Sequence, residues 1–175
     1  MKFVFALFLF FVNSVEAASP VVSEYHSLQN QWLARCEGRI YPECKNQDPI
    51  LAEAMQRANR TQRSLLILVG FDECDGCQAT ERVLKDRDFE EQLENLLNEY
   101  VIVHLHFRFL SSIPNQYGIK AKAAPTALVA TIQRGSLMVR GTFYPSLLAQ
   151  DGSLMYDTVY SLHSKANQIL KSNAH

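Results

Sequence analysis

Two cysteines, Cys74 and Cys77, stand close together in Asp72-Glu73-Cys74-Asp75-Gly76-Cys77. A step of three along the first turn of a helix makes side chains neighbours, near enough for two sulfurs to bond. A helix N-terminus also offers unpaired N–H groups and partial positive charge, which favour a thiolate. Cys74 is therefore expected to be the exposed attacking sulfur. Cys77, one turn in, is expected to be shielded and to resolve the mixed disulfide. Gln78 stands where a c-type haem attachment motif needs His, so that chemistry fails. The other two cysteines, Cys36 and Cys44, are too far apart in sequence to suit a zinc ribbon. Dithiol/disulfide exchange at Cys74 and Cys77 is the reading these residues favour. A purely structural bridge and a small zinc-binding domain are the alternatives. Exchange between thiols needs neither metal nor organic cofactor.

The flanking elements fit that chemistry. Ser64-Leu65-Leu66-Ile67-Leu68-Val69-Gly70-Phe71 is a continuous apolar run. Its length and lack of alternation predict a strand covered by helices on both faces. A helix is expected from Gln78 to Lys85, so the pair lies at a strand-to-helix junction. Upstream, Tyr25, Leu28, Trp32 and Leu33 predict an amphipathic helix over 23–37, and Asp48-Pro49 opens another. Downstream, Asp86 or Asp88 starts a helix with Leu93, Leu96 and Leu97 on one face. Val101 to Phe107 reads as a second strand. Pro125 to Ile132 and Leu137 to Phe143 flank a hairpin turn at Gln133-Arg134-Gly135-Ser136. Met155, Val159, Leu162, Ala166 and Ile169 predict a closing helix. The expected class is α/β, a mixed central sheet flanked by helices, with an N-terminal helical extension.

The chain of 175 residues balances 17 Lys+Arg against 18 Asp+Glu. That composition excludes a disordered chain and gives no electrostatic footprint for nucleic acid. Lys2 precedes an apolar run from Phe3 to Val12, followed by small residues at Val15 and Ala17. Such a run makes a helix of about 15 Å, about half the hydrocarbon thickness. The pattern predicts a cleavable signal over 1–17 and an exported protein, with an uncleaved membrane anchor as the alternative. The expected compartment is the bacterial periplasm, with secretion as the alternative. Export favours disulfides, so Cys36 and Cys44 are expected to form a structural one within the extension, 18–46. The remaining domain is expected over 47–172.

The run Leu65 to Phe71 leading into Cys74-Asp75-Gly76-Cys77, and then Ala124-Pro125-Thr126-Ala127-Leu128-Val129, resembles the thioredoxin fold. Tyr117-Gly118-Ile119 is also similar to thioredoxins. Glu81 to Phe107 most resembles exported thioredoxin-like proteins related to the soluble C-terminal domain of the disulfide-reducing membrane transporter. The resemblance covers roughly 47–145, and its specific part is the cysteine pair with Ala-Pro-Thr. It implies that Pro125 is cis, faces the cysteines and shapes a groove for a substrate strand. Ala124 would supply backbone hydrogen bonds there and Thr126 would flank it. It further implies a thiol–disulfide oxidoreductase acting on exported cysteine-containing proteins. Three departures are visible. Glu73 replaces the usual aromatic before the first cysteine, and Leu68 occupies the place of a buried carboxylate. Two extra residues separate Tyr117-Gly118-Ile119 from Pro125. A narrower substrate range follows from them.

Asp75 lies between the cysteines and no Lys, Arg or His does, so the couple is expected to be reducing rather than strongly oxidising. Staying reduced in an oxidising compartment would require a membrane electron donor. His104 and His106 share a strand face. They either bond backbone or water, or relay protons near Cys77. The rival to catalysis is a redox-inactive thioredoxin-like binding or chaperone module.

Overall fold

The computed structural model describes residues 19–148, 154–156 and 158–173; the segment expected to direct export lies outside the described residues. In chain order the elements are α1 (Pro20–Ala34), α2 (Asp48–Thr61), β1 (Ser64–Gly70), α3 (Asp75–Lys85), α4 (Glu90–Glu99) and β2 (Tyr100–His106). They continue with β3 (Thr126–Gln133), β4 (Ser136–Phe143), β5 (Ser146–Leu148), β6 (Leu154–Tyr156) and α5 (Val159–Ser172). Four strands form one sheet in the order β2-β1-β3-β4, while β5 and β6 pair separately. β1 runs parallel to β2 and antiparallel to β3, and β3 is antiparallel to β4. The class is α/β, with a mixed open sheet flanked by helices.

The unbroken apolar run of β1 has a physical reason. Leu66 and Leu68 point into one core with residues of α4 and α5, together with Cys74 and Cys77. Leu65, Ile67 and Val69 point into the other, against Ile50, Leu51, Ala54 and Ala58 of α2. Both faces of the strand are dry, so alternation never develops. Between β3 and β4, Arg134 and Gly135 have φ of 52° and 79°, the left-handed pair that suits a two-residue hairpin.

β2 lies at the sheet edge, where unpaired backbone groups need partners. The N-terminal extension and the residue that follows it supply them. Gln29 of α1 donates to the Ile102 carbonyl at 3.2 Å. The Gln47 amide donates to the His106 carbonyl at 2.9 Å and accepts from the His106 N–H. α1 also buries Val22 and Tyr25 in one core and Trp32 in the other. The extension is thus knitted into the body of the domain.

Strand boundaries shift by one residue from expectation, and helix boundaries by more. α1 starts at Pro20 and ends at Ala34. α3 starts at Asp75 rather than Gln78, because Cys74 serves as its N-cap and brings Cys77 inside the helix. Met155 belongs to β6 and not to the closing helix. The Thr158 hydroxyl accepts from the Ser161 N–H at 3.2 Å, a cap that starts α5 at Val159.

Candidate functional site

The register places one end of the sheet under the cysteines. Gly70 ends β1 opposite His106, and Val69 pairs with Thr126, the first residue of β3. The chain leaves β1 through Phe71, Asp72 and Glu73 and enters α3 at Cys74, while Pro125 immediately precedes β3 on the same sheet end. The Ala124–Pro125 bond is cis, as the resemblance implies. Pro125 is buried and Ala124 half-buried, and Ala124 packs on the core cluster that holds Cys74 and Cys77. The Thr126 hydroxyl donates to the Ala123 carbonyl, securing the turn into β3.

Cys74 and Cys77 are bonded to each other. The Cys74 sulfur accepts from the Cys77 N–H at 3.2 Å, one of the donors a helix start leaves without an intrahelical partner. Cys74 is 9% exposed and Cys77 0%. Cys74 is therefore buried as well, not exposed as expected, and only a small residual exposure separates it from Cys77. Glu73 and Asp75 on either side of it are exposed. Beside them a cleft of about 370 Å³ is lined by Glu43, Phe71, Glu73, His106, Phe107 and Arg108.

Cys36 and Cys44 form the second bonded pair. The loop they close is docked on the site through Asp72. That buried carboxylate accepts from the backbone N–H groups of Arg39, Ile40 and Tyr41 at 2.6, 2.9 and 3.1 Å. Burial opposes its ionisation, yet the three N–H donors and Arg39 outweigh burial and hold the carboxyl below its ordinary range. The backbone carbonyl of Asp72 accepts from Gln78 of α3 at 2.7 Å. One residue therefore ties the loop to the helix that carries the cysteines.

Beneath α3 lies a buried polar cluster. His104, 1% exposed, has Nδ1 3.2 Å from the Ile40 carbonyl, so Nδ1 carries the proton and donates. Its Nε2 faces Glu81 Oε2 at 3.7 Å, and Glu81 Oε1 pairs with Lys85 at 2.8 Å. Burial lowers the His104 imidazole; the Glu81 charge and the Ile40 carbonyl oppose that, and Lys85 adds to it. Glu81 Oε2, His104 Nε2 and the Tyr25 hydroxyl have no hydrogen-bond partner among the described residues. Burial, then the charge of Glu81, pushes the Tyr25 phenol up. His106 has Nδ1 accepting from the Arg108 N–H at 3.2 Å and Nε2 3.5 Å from Glu43.

The sequence reading missed Glu81, Tyr41 and Asp72. Leu68 stands where a carboxylate was sought, and a carboxylate instead reaches the same sheet face from α3. Its signal was the spacing Cys77-Glu81-Lys85, one residue per turn, which equally suits an ordinary surface ion pair. Among the described residues, no group of three or more His, Cys, Asp or Glu side chains is placed to hold a metal ion. Comparison with protein-family models, with curated proteins and with solved structures gives no match.

Proposed function

We propose that the protein is a thioredoxin-like thiol–disulfide oxidoreductase, exported and working in the periplasm on cysteine-containing proteins. The observation that carries this reading is the placement of the pair. The Cys74 sulfur sits at the N-terminus of α3 and accepts a helix N–H, with a fully buried Cys77 bonded to it. A thiolate formed at Cys74 would gain from that donor and from the helix dipole. The strand order, the Cys-bearing helix after β1 and Pro125 before β3 support the thioredoxin-like assignment.

The chemistry balances without a cofactor. In the reduced form the Cys74 thiolate attacks a substrate disulfide, forming a mixed disulfide and releasing one substrate thiolate, which takes a proton. Cys77 then loses its proton and attacks the Cys74 sulfur. The second substrate thiolate leaves, and the Cys74–Cys77 bond forms. Two electrons have passed to the substrate. A dithiol of a membrane protein would return them and regenerate the reduced pair.

Reduction of insulin or of a model mixed disulfide tests the proposal. The wild type should turn over and Cys74→Ser should not. A wild type without turnover under reducing regeneration would leave the redox-inactive binding module as the better reading.

A further inference from the structure

The extension does not merely anchor the N-terminus; it places an aromatic ring against the resolving sulfur. Gly70 marks the spot. A methyl group on Gly70 would stand 2.6 Å from the Cys77 sulfur, 2.5 Å from Tyr41 Cζ and 2.8 Å from the Tyr41 hydroxyl oxygen. Sulfur and phenol are therefore neighbours across a residue that has no side chain to separate them. We propose that Tyr41 is a positioning residue for Cys77, held over its sulfur by the loop that Cys36 and Cys44 close and Asp72 clamps. This inference rests on the thiol–disulfide reading above and names a residue on which that site depends.

The hold on Tyr41 is specific. Its N–H and those of the two preceding residues all end on Asp72. The carbonyl of Ile40 accepts a hydrogen bond from His104 Nδ1–H, and the Tyr41 and His104 rings lie 5.1 Å apart, tilted by 32°. The loop turns through Gly38, whose φ of 111° suits glycine, and the Glu43 N–H closes back on the Glu37 carbonyl at 2.6 Å. Buried beside Glu81 and Asp72, the phenol stays neutral, so it contributes shape and exclusion of water rather than charge. Removing water from around Cys77 disfavours its thiolate. A shielded Cys77 is out of reach of other disulfides and meets only the Cys74 sulfur once the mixed disulfide has formed.

The test labels Cys77 in a Cys74→Ser background, with reduced protein and a small alkylating reagent. Tyr41→Ala should raise the labelling rate by about tenfold or more, equivalent to about 1.4 kcal/mol of protection. Tyr41→Phe, which keeps the ring, should stay within about twofold of the parent, well under that energy. A purely structural tyrosine would raise labelling only in proportion to the stability each variant loses, which its melting temperature reads, so acceleration beyond that proportion is the mark of local shielding. Should Tyr41→Ala fail to fold, Asp72→Asn releases the loop with Tyr41 intact, and the same acceleration is expected. Unchanged labelling in either folded variant overturns the inference. Because this readout needs no substrate, it stands apart from the insulin assay: turnover absent in the wild type sinks the proposed function, not the packing claim.

Discussion

At the scale of single residues, the environment of Cys74 would set the direction of electron flow in the proposed exchange. The helix N-terminus stabilises a thiolate there, but Asp75 and Glu73 bring exposed carboxylates to both sides. An adjacent carboxylate costs the thiolate about 1 kcal/mol at short, partly hydrated range, and about 30 mV of a two-electron couple corresponds to about 1.4 kcal/mol. One carboxylate therefore tilts the couple without deciding it alone. The potential of the Cys74–Cys77 pair should fall below about −180 mV, on the reducing side of the known range. Asp75→His should raise it in equilibration with glutathione. A value near −120 mV, that of a strong oxidant, would reverse the assignment. Brief alkylation of the reduced wild type should mark Cys74 before Cys77, since only Cys74 reaches the surface; mass mapping reads the order.

At the scale of elements, the loop closed by Cys36 and Cys44 links the extension to the site. On the chain-entropy view a loop of this size is worth about 2–3 kcal/mol. For a chain of this length that corresponds to about 4–12 °C in melting temperature. Replacing both cysteines with Ala should lower the melting temperature by that order, while turnover continues through Cys74 and Cys77. A folded double variant without turnover would instead make the second pair an electron shuttle. Local pattern made the strands, the hairpin and the cysteine-bearing helix legible, because an apolar run buried on both faces and a Gly-containing turn are local signals. The clamp on Asp72 and the approach of Tyr41 were not legible. They join residues more than thirty positions apart, and nothing in the periodicity of either segment records the other. Met155 was misplaced because the spacing of the α5 stripe runs on by chance past the Thr158 cap.

At the scale of the whole molecule, buried ionisable groups make stability depend on pH with a definite sign. His104 and His106 are both lowered from an ordinary value of 6.5, burial being the largest cause in each. As pH falls through that value, the unfolded chain takes up protons that the folded protein refuses, so stability declines with acidification. Asp72 is lowered from 3.8. Its contribution is complete above that value and is lost as pH falls through the lower, folded one. The two windows lie in sequence, and both act in the same direction. Thermal melts of the oxidised protein should decline as pH falls from near 6.5 and decline again below pH 3.8. His104→Phe should weaken the first decline, since its ring remains apolar at every pH, and leave the second in place. Asp72→Asn should remove the second decline, weaken the first because the released loop no longer covers His104, and lower the melting temperature near neutrality, because an amide keeps only one acceptor oxygen for three N–H donors. A wild type whose melting temperature is the same at pH 7.5 and pH 5 would show that His26, His104 and His106 titrate alike in the folded and unfolded chain, contrary to the burial that lowers all three.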